Sequence, residues 1–340
     1  MNNTTSIQTA PRWAGLSRNR IISLSILGVI FIVLALLPVL MPTSYWITRL
    51  SEYMRYSILA IAWVLFSGPT GYMSLATAAF YGLGFYMAAI LNGPLPFAVV
   101  VILAGIAAFL MAAAIGALTL RLRGVYFCIF TFAVVLLLNQ VVLEVERIVT
   151  HTRGRFVNQE SVHVAYWAML IVFALTVVVV MYIRRSRYGL ALQSIGEYEE
   201  AAAHSGINIV RTKVLIFATS AVFMGMAGAI MATRRSYIDP GIAFDMQTSF
   251  LPVLMAMFGG MGNLVGPVLG AVGFTALSDK LVVSFPDLFM LIFGVFLIVA
   301  ILFMPNGIIG VVMQVWRWVR GRIGNRATVP TEKGGRGAPA

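Results

Sequence analysis

Residues 200–206 of this chain read Glu-Ala-Ala-Ala-His-Ser-Gly, and they lie inside the longest polar interruption between its hydrophobic segments, residues 184–213. The alanines predict a short helix that a partner surface can approach closely, because their side chains are small. Gly206 predicts the end of that helix, since glycine readily adopts the left-handed conformation that terminates helices. We therefore expect a small helical projection suited to docking.

The composition is typical of an integral membrane protein. Hydrophobic residues make up 60% of the 340 positions and charged residues only 11%, whereas soluble domains are about one quarter charged. A bilayer core takes about 20 apolar residues per helix, so the apolar runs predict an all-α polytopic fold with about ten transmembrane helices. The predicted spans are 21–41, 55–68, 75–92, 96–119, 125–144, 164–183, 214–233, 248–260, 264–283 and 287–305.

The basic residues are distributed unevenly along the chain, whose formal net charge is +12. Four segments carry 16 of the 24 basic residues, and a ten-span chain places all four on the same side. Because basic loops stay in the cytoplasm, both termini and the loop 184–213 are predicted to be cytoplasmic. This distribution reflects the orientation of the chain in the lipid bilayer. It excludes nucleic acid binding as the explanation of the positive net charge. The predicted domains are a cytoplasmic N-terminal segment (1–20), a transmembrane domain (21–310) and a basic, disordered tail (311–340).

Glycines interrupt the second and eighth predicted spans, which are also short. Short, glycine-broken segments in the two halves of a membrane protein predict discontinuous helices that line a substrate path. The spacing of Gly262, Gly266 and Gly270 instead favours close helix packing. Five spans precede the loop 145–163 and five follow it, an arrangement compatible with an inverted repeat.

The sequence indicates neither a catalytic centre nor a site for a cofactor or metal ion. The phosphate-binding loop of ATPases is absent, and the three histidines lie too far apart to suggest metal ligation. Acidic residues such as Asp279 fall near the predicted outer ends of spans, where carboxylates are hydrated at low cost. Asn139 is polar within the fifth span, so it either lines a path or makes an interhelical hydrogen bond.

Several further motifs accompany the central loop and share a single resemblance. They are 68–75 (GPTGYMSL), 79–86 (AFYGLGFY), 121–127 (RLRGVYF), 186–192 (SRYGLAL), 259–267 (GGMGNLVGP) and 305–310 (PNGIIG). With residues 200–206, which resemble the Glu-Ala-Ala coupling loop of ATP-binding-cassette importers, they are similar to the permeases of branched-chain (hydrophobic) amino acid ABC importers. The longer of the two permease types in that family matches best, over about residues 55–310.

The resemblance implies a function, partners and site residues. The chain is expected to be the non-catalytic permease of an importer in the bacterial inner membrane, working with ABC ATPase subunits, a second homologous permease and a periplasmic solute-binding protein. The ATPase is expected to dock on Glu200, Ala201, Ala202 and Gly206, and the residues expected to line the translocation path are Ser74, Asn139 and Gly259.

The outer loop departs from the family pattern, which leaves the solute open. The family usually has Thr-Gly-Gly-x-x-Gly there, whereas residues 150–155 read Thr-His-Thr-Arg-Gly-Arg. Branched-chain amino acids are expected, and urea, amides or aromatic acids are the alternatives within the family. Arg153 and Arg155 either meet a carboxylate on the solute or binding protein or are simply solvated, and the second interpretation is favoured.

Two functions of another class remain as alternatives. An ion-coupled secondary carrier or a passive solute channel would transport without an ATPase, and a channel would make Glu200 replaceable. The absence of an acidic residue from the middle of the predicted spans speaks against the carrier.

Overall fold

The computed structural model describes residues 31–38, 43–120, 122 and 124–285, together with the isolated positions 28, 288, 291, 294 and 295. Most of these residues are helical, including 31–38. The helices are α1 (Ser44–Thr70), α2 (Thr77–Leu91), α3 (Phe97–Thr119), α4 (Val125–Val149), α5 (Val162–Arg185), α6 (Arg187–Glu197), α7 (Glu199–His204), α8 (Ile209–Ala232), α9 (Pro240–Ala243), α10 (Met246–Gly259) and α11 (Val265–Ser284). The strands β1 (Arg155–Phe156) and β2 (Tyr237–Ile238) form one antiparallel pair.

The long helices run between two ends of the molecule. At the first end, which we call the α6–α7 end, the C-terminus of α5 meets the turn between α10 and α11, because Arg184 Nη2 donates to the carbonyl oxygen of Met261 at 3.1 Å. At the opposite end, the loop after α2 meets the loop before α5, since Asn92 and Asn158 each donate to the carbonyl oxygen of the other at 2.9 Å. The loop that carries residues 200–206 therefore lies at one end and the β1–β2 pair at the other.

Helix α1 lies at the centre of the fold, and its stretch from Ile58 to Phe66 is buried on every side. Its side chains from Ile58 to Phe66 are at most 2% exposed, and it contacts α5, α8, α10 and α11. Small residues bring α2, α3 and α8 together: a Cβ on Gly84 would overlap the carbonyl oxygen of Gly225, and a Cβ on Gly225 would overlap that of Ala104. Such close backbone approach is how membrane helices pack without a hydrophobic driving force between them.

Apolar side chains cover much of the outer surface of the described chain. Of the most apolar 18 residues in each helix, only 33% are buried in α3 and 22% in α4. Large side chains such as Leu118 and Ile129 are exposed. Exposure of this kind suits lipid rather than water. Five stretches in the described part of the chain are long and apolar enough to cross a membrane, so the protein is an α-helical, multi-pass membrane protein.

Most predicted spans that fall on described residues coincide with helices to within a few positions, and the second does not. We expected a short span at 55–68, but α1 begins at Ser44 and continues for 27 residues. The error arose because Arg49, Glu52 and Arg55 interrupt the apolar run, and these charges are in fact paired, Arg49 with Asp279 and Glu52 with Arg55. The all-α prediction also missed the two-residue strands.

Several predictions concern residues outside the described part of the chain. They are the N-terminal segment 1–20, most of the first span (21–41), nearly all of the tenth span (287–305), the motif at 305–310 and the tail 311–340. The number of spans and the side on which the termini lie therefore stay predictions.

Candidate functional site

The loop between α5 and α8 is folded into two short helices. Ser186 caps α6 by accepting a hydrogen bond from the amide of Tyr188, and an extended residue, Tyr198, separates α6 from α7. At the end of α7, Gly206 has a φ of 81°, its amide donates to Ala203, and the amide of Ile207 donates to Ala202. This pair of bonds is the Schellman motif that closes helices at a left-handed glycine. The expected short helix, ended by Gly206, is present.

The tip of this loop offers an exposed surface. Glu200, Ala201 and Gly206 are exposed, whereas Ala202 is buried and anchors α7 to the protein. The Glu200 carboxylate accepts a hydrogen bond from the Tyr198 hydroxyl at 3.3 Å. The Tyr198 side chain is itself 62% exposed, like that of Leu190 on α6. The predicted docking residues thus stand beside large apolar side chains, a combination typical of protein interaction surfaces.

Helix α6 rests against the end of α1. A Cβ on Gly196 would overlap the carbonyl oxygen of Pro69, and a Cβ on Gly189 would overlap that of Ile183. Beside this contact lies a cavity of about 600 Å³, whose lining includes Gly68, Arg184 and Gln193. Helix α6 therefore touches the last turn of the central helix α1 directly, and it also packs against the end of α5.

A buried ion pair connects α7 to α8. Lys213 is 0% exposed, and its Nζ donates to Glu199 Oε1 at 2.9 Å and to the Tyr72 hydroxyl at 3.1 Å. The Tyr72 hydroxyl in turn donates to Glu199 Oε2 at 3.0 Å, and Lys213 Nζ lies 4.1 Å from the centre of the Tyr72 ring. Charge-assisted hydrogen bonds and the aromatic face thus replace the hydration of the ammonium group.

Tyr72 belongs to a non-helical segment, residues 71–76, that runs back into the protein between α1 and α2. The carbonyl oxygen of Ser74 accepts a hydrogen bond from the indole Nε1 of Trp63, eleven residues earlier, at 2.7 Å. The amide of Leu75 donates to Thr131 Oγ1 on α4 at 3.0 Å. Non-helical backbone at membrane depth is stable only where protein groups satisfy it, and side chains of α1 and α4 do so here.

The three residues predicted to line a path contact different elements. Ser74 is buried in the segment 71–76, and Asn139 on α4 donates to the carbonyl oxygen of Pro240 at 3.2 Å. Gly259 lies where α10 crosses α11, since a Cβ there would overlap the carbonyl oxygen of Gly266. These contacts account for helix packing, and the assignment of these residues to a path stays a prediction.

The two arginines of the outer loop differ in their surroundings. Arg153 is exposed, but Arg155 on β1 lies with its Nε 3.4 Å from Oε1 of Glu146, whose side chain is 3% exposed. The other oxygen of Glu146 accepts from the amide of Gly154 at 2.8 Å. The interpretation of both arginines as solvated is therefore wrong for Arg155, which contacts Glu146 at the end of α4.

A second group of charges, on α1, was not recognised from the sequence. Arg49 and Glu52 line a cavity of about 280 Å³ between α1, α10 and α11. Arg49 Nη1 lies 2.7 Å from Asp279 of α11, and Glu52 lies 2.5 Å from Nη2 of Arg55. The sequence did contain one signal of this group, the spacing of Arg49, Glu52 and Arg55. Charges at i, i+3 and i+6 share one helix face.

A family model and several curated proteins match this chain. The family model for the permease component of branched-chain amino acid transport systems matches residues 45–301. The high-affinity branched-chain amino acid transport system permease proteins LivM of Salmonella typhimurium and Escherichia coli are 27% and 28% identical, over 75% of this chain and 68% of each relative. The ribose import permease of Haemophilus influenzae is 31% identical over 36% of this chain and 38% of its own length. No solved structure gives a significant match.

Proposed function

Because the chain belongs to the family of permease components of branched-chain amino acid transport systems, we propose that it is the transmembrane permease subunit of an ABC importer of branched-chain amino acids. The family match over residues 45–301 carries this proposal. Members of that family are transporter subunits, so the chain is assigned no reaction of its own. The LivM relatives match 75% of this chain and the ribose permease 36%, which favours amino acids over sugars as the solute class.

The segment 200–206, at the tip of the loop between α5 and α8, is proposed as the docking site of the ATPase, with Glu200, Ala201 and Gly206 presented to it and Ala202 holding α7 in place. The exposure of this surface and the exposed Tyr198 beside it support the proposal. A carboxylate at the first turn of a helix also stabilises that helix through its dipole. Docking requires the loop to be cytoplasmic, which agrees with the basic residues Arg184 and Arg187 nearby.

The complete importer is proposed to contain this chain, a second homologous permease, ABC ATPase subunits and a periplasmic solute-binding protein, assembled in a bacterial inner membrane. Nucleotide binding closes the ATPase dimer and moves the docked α7, and the attached helices then open the solute path towards the periplasm. A ligand shifts a conformational equilibrium only through its different affinity for the two states. In this mechanism the two ligands are the nucleotide and the loaded binding protein.

Reconstitution of the whole importer in proteoliposomes tests the proposal. Radiolabelled leucine uptake should require ATP and the binding protein, and excess valine or isoleucine should compete with it. Competition by acetamide, urea, phenylalanine or ribose, but not by valine, would reassign the solute. Uptake by this chain without an ATPase would instead establish the carrier or the channel.

The variant Glu200→Lys tests the docking site. It should insert into the membrane normally but associate with much less ATPase, because it reverses the charge of the exposed docking carboxylate. Its rate of uptake should fall at least tenfold. Glu197→Lys is the matched control, since it makes the same change at an exposed position at the end of α6. Equal uptake by the two variants would remove Glu200 from the docking site.

A further inference from the structure

The carboxylate of Glu199 is turned away from the docking surface formed by its neighbour Glu200. Glu200 is exposed, whereas Glu199 reaches inward to Lys213 and Tyr72. Helix α7 thus carries adjacent carboxylates with separate partners: one on the surface and one in the protein interior. The sequence-based interpretation of the loop used only the exposed one.

Lys213 and Glu199 must stay together during any movement of α7. A fully buried ammonium group is tolerated only with a close counter-ion and hydrogen bonds, because removing it from water is costly. Lys213 has both from Glu199 and Tyr72, at 2.9 Å and 3.1 Å. When α7 moves, the lowest-energy response is therefore for Lys213 and Tyr72 to follow it.

Tyr72 links this ion pair to the centre of the bundle. The segment 71–76 that contains it is attached to α1 through Trp63 and to α4 through Thr131. Just beyond the segment, the amide of Ala78 donates to Ser249 Oγ on α10 at 3.2 Å. The segment 71–76 and the first turn of α2 therefore join the network at Glu199 to α1, α4 and α10.

We infer that Glu199, Lys213 and Tyr72 form the connection through which movement of the docked α7 reaches the segment 71–76 and the helices attached to it. The inference rests on the proposed function, since it presupposes an ATPase docked on α7. It assigns the three side chains as positioning residues that transmit movement, and it separates transmission from docking on the same helix. The contact between Gly196 and Pro69 holds α6 against α1 sterically and is unaffected by the variants below.

The test uses the full importer complex in nanodiscs. Spin labels are placed at the exposed positions Ser44 and Arg153 after their replacement by cysteine, and the single native cysteine, Cys128, is replaced by alanine. Both labels lie far from α7, so their separation reports only movement that has crossed the bundle. The distance between them is measured by pulsed electron paramagnetic resonance without nucleotide and with ATP and vanadate.

The informative variant is the double change Glu199→Gln with Lys213→Met, which removes both charges and leaves no buried ion unpaired. Tyr72→Phe retains the ring and removes only the hydroxyl. The control Glu197→Gln neutralises a carboxylate at the exposed end of α6. Co-purification of the ATPase is measured for every variant, and it should equal that of the unaltered chain because Glu200 is present.

The unaltered chain and the control should show a nucleotide-dependent change in the label distance. The double variant should lose at least four fifths of that change while it still retains the ATPase, and Tyr72→Phe should lose about half. A full change in the double variant would overturn the inference and leave the network a purely structural one. Failure of the ATPase to co-purify with the unaltered chain would overturn the proposed function, and the inference with it.

Discussion

The substitution Thr131→Val should loosen the segment 71–76 without altering the shape of the interior. Thr131 is fully buried, and its Oγ1 accepts from the amide of Leu75 at 3.0 Å while donating to the carbonyl oxygen of Cys128 at 2.9 Å. Valine fills nearly the same volume but leaves the Leu75 amide without this acceptor. An unsatisfied buried donor costs about 1 to 3 kcal/mol, which corresponds to a roughly 5- to 150-fold larger fraction of the locally open state.

Hydrogen–deuterium exchange followed by mass spectrometry measures this opening directly. Peptides that cover residues 71–78 should exchange about 5- to 150-fold faster in the variant, because exchange in the native state reports the local opening equilibrium. Thr176→Val on α5 is the matched control: Thr176 is equally buried, but its hydroxyl donates only to the carbonyl oxygen of Val172 in the preceding turn. If residues 71–78 exchange equally fast in the two variants, the Thr131 bond does not hold the segment.

Three further predictions concern Gly206, Gly84 and Glu146. Gly206→Val should destabilise the end of α7 by about 1 to 3 kcal/mol, since valine is strained at a φ of 81°. It should also weaken co-purification of the ATPase, whereas Gly206→Asn should be tolerated. Gly84→Ala should lower the midpoint of thermal unfolding, at a cost of about 1 to 3 kcal/mol, because its Cβ would overlap the backbone of α8. Gly273→Ala should leave the midpoint of thermal unfolding unchanged, because there is open space around Gly273. Glu146→Gln should speed proteolysis of the loop around Arg155 several-fold, because it removes the charge that Arg155 contacts; unchanged cleavage would count against that pairing.

Local features of the site were predictable from the sequence, and long-range pairings were not. The short helix ending at Gly206 depends only on alanines and on one glycine, so residues 200–206 were sufficient to predict it. Lys213 gave no such signal, because a lysine at the start of an apolar run is usually an exposed residue that marks the membrane boundary. Its burial depends on Tyr72, 141 residues earlier in the chain.

The bounds of α1 show the same limit. The predicted span 55–68 began only after Arg49 and Glu52, since unpaired charges are costly within a bilayer. Asp279, the partner of Arg49, lies 230 residues away, so the local spacing could indicate a shared helix face but not the ion pair that Arg49 makes. The segment 71–76 was likewise hidden, because the groups that satisfy its backbone lie on other helices.

The charges on α1 bear on the carrier alternative, which the sequence disfavoured because its spans lacked a central carboxylate. Glu52 and Asp279 are carboxylates within described helices, and each has an arginine within 2.7 Å. Arginine stays protonated throughout the accessible pH range, so each carboxylate has a permanent counter-ion. A coupling site must instead gain and release its cation in every cycle, which an arginine held at this distance opposes. The Asp279 pair therefore suits the joining of α1 to α11, and the Glu52 pair lies within α1. The transport energy is left to the proposed ATPase acting through α7.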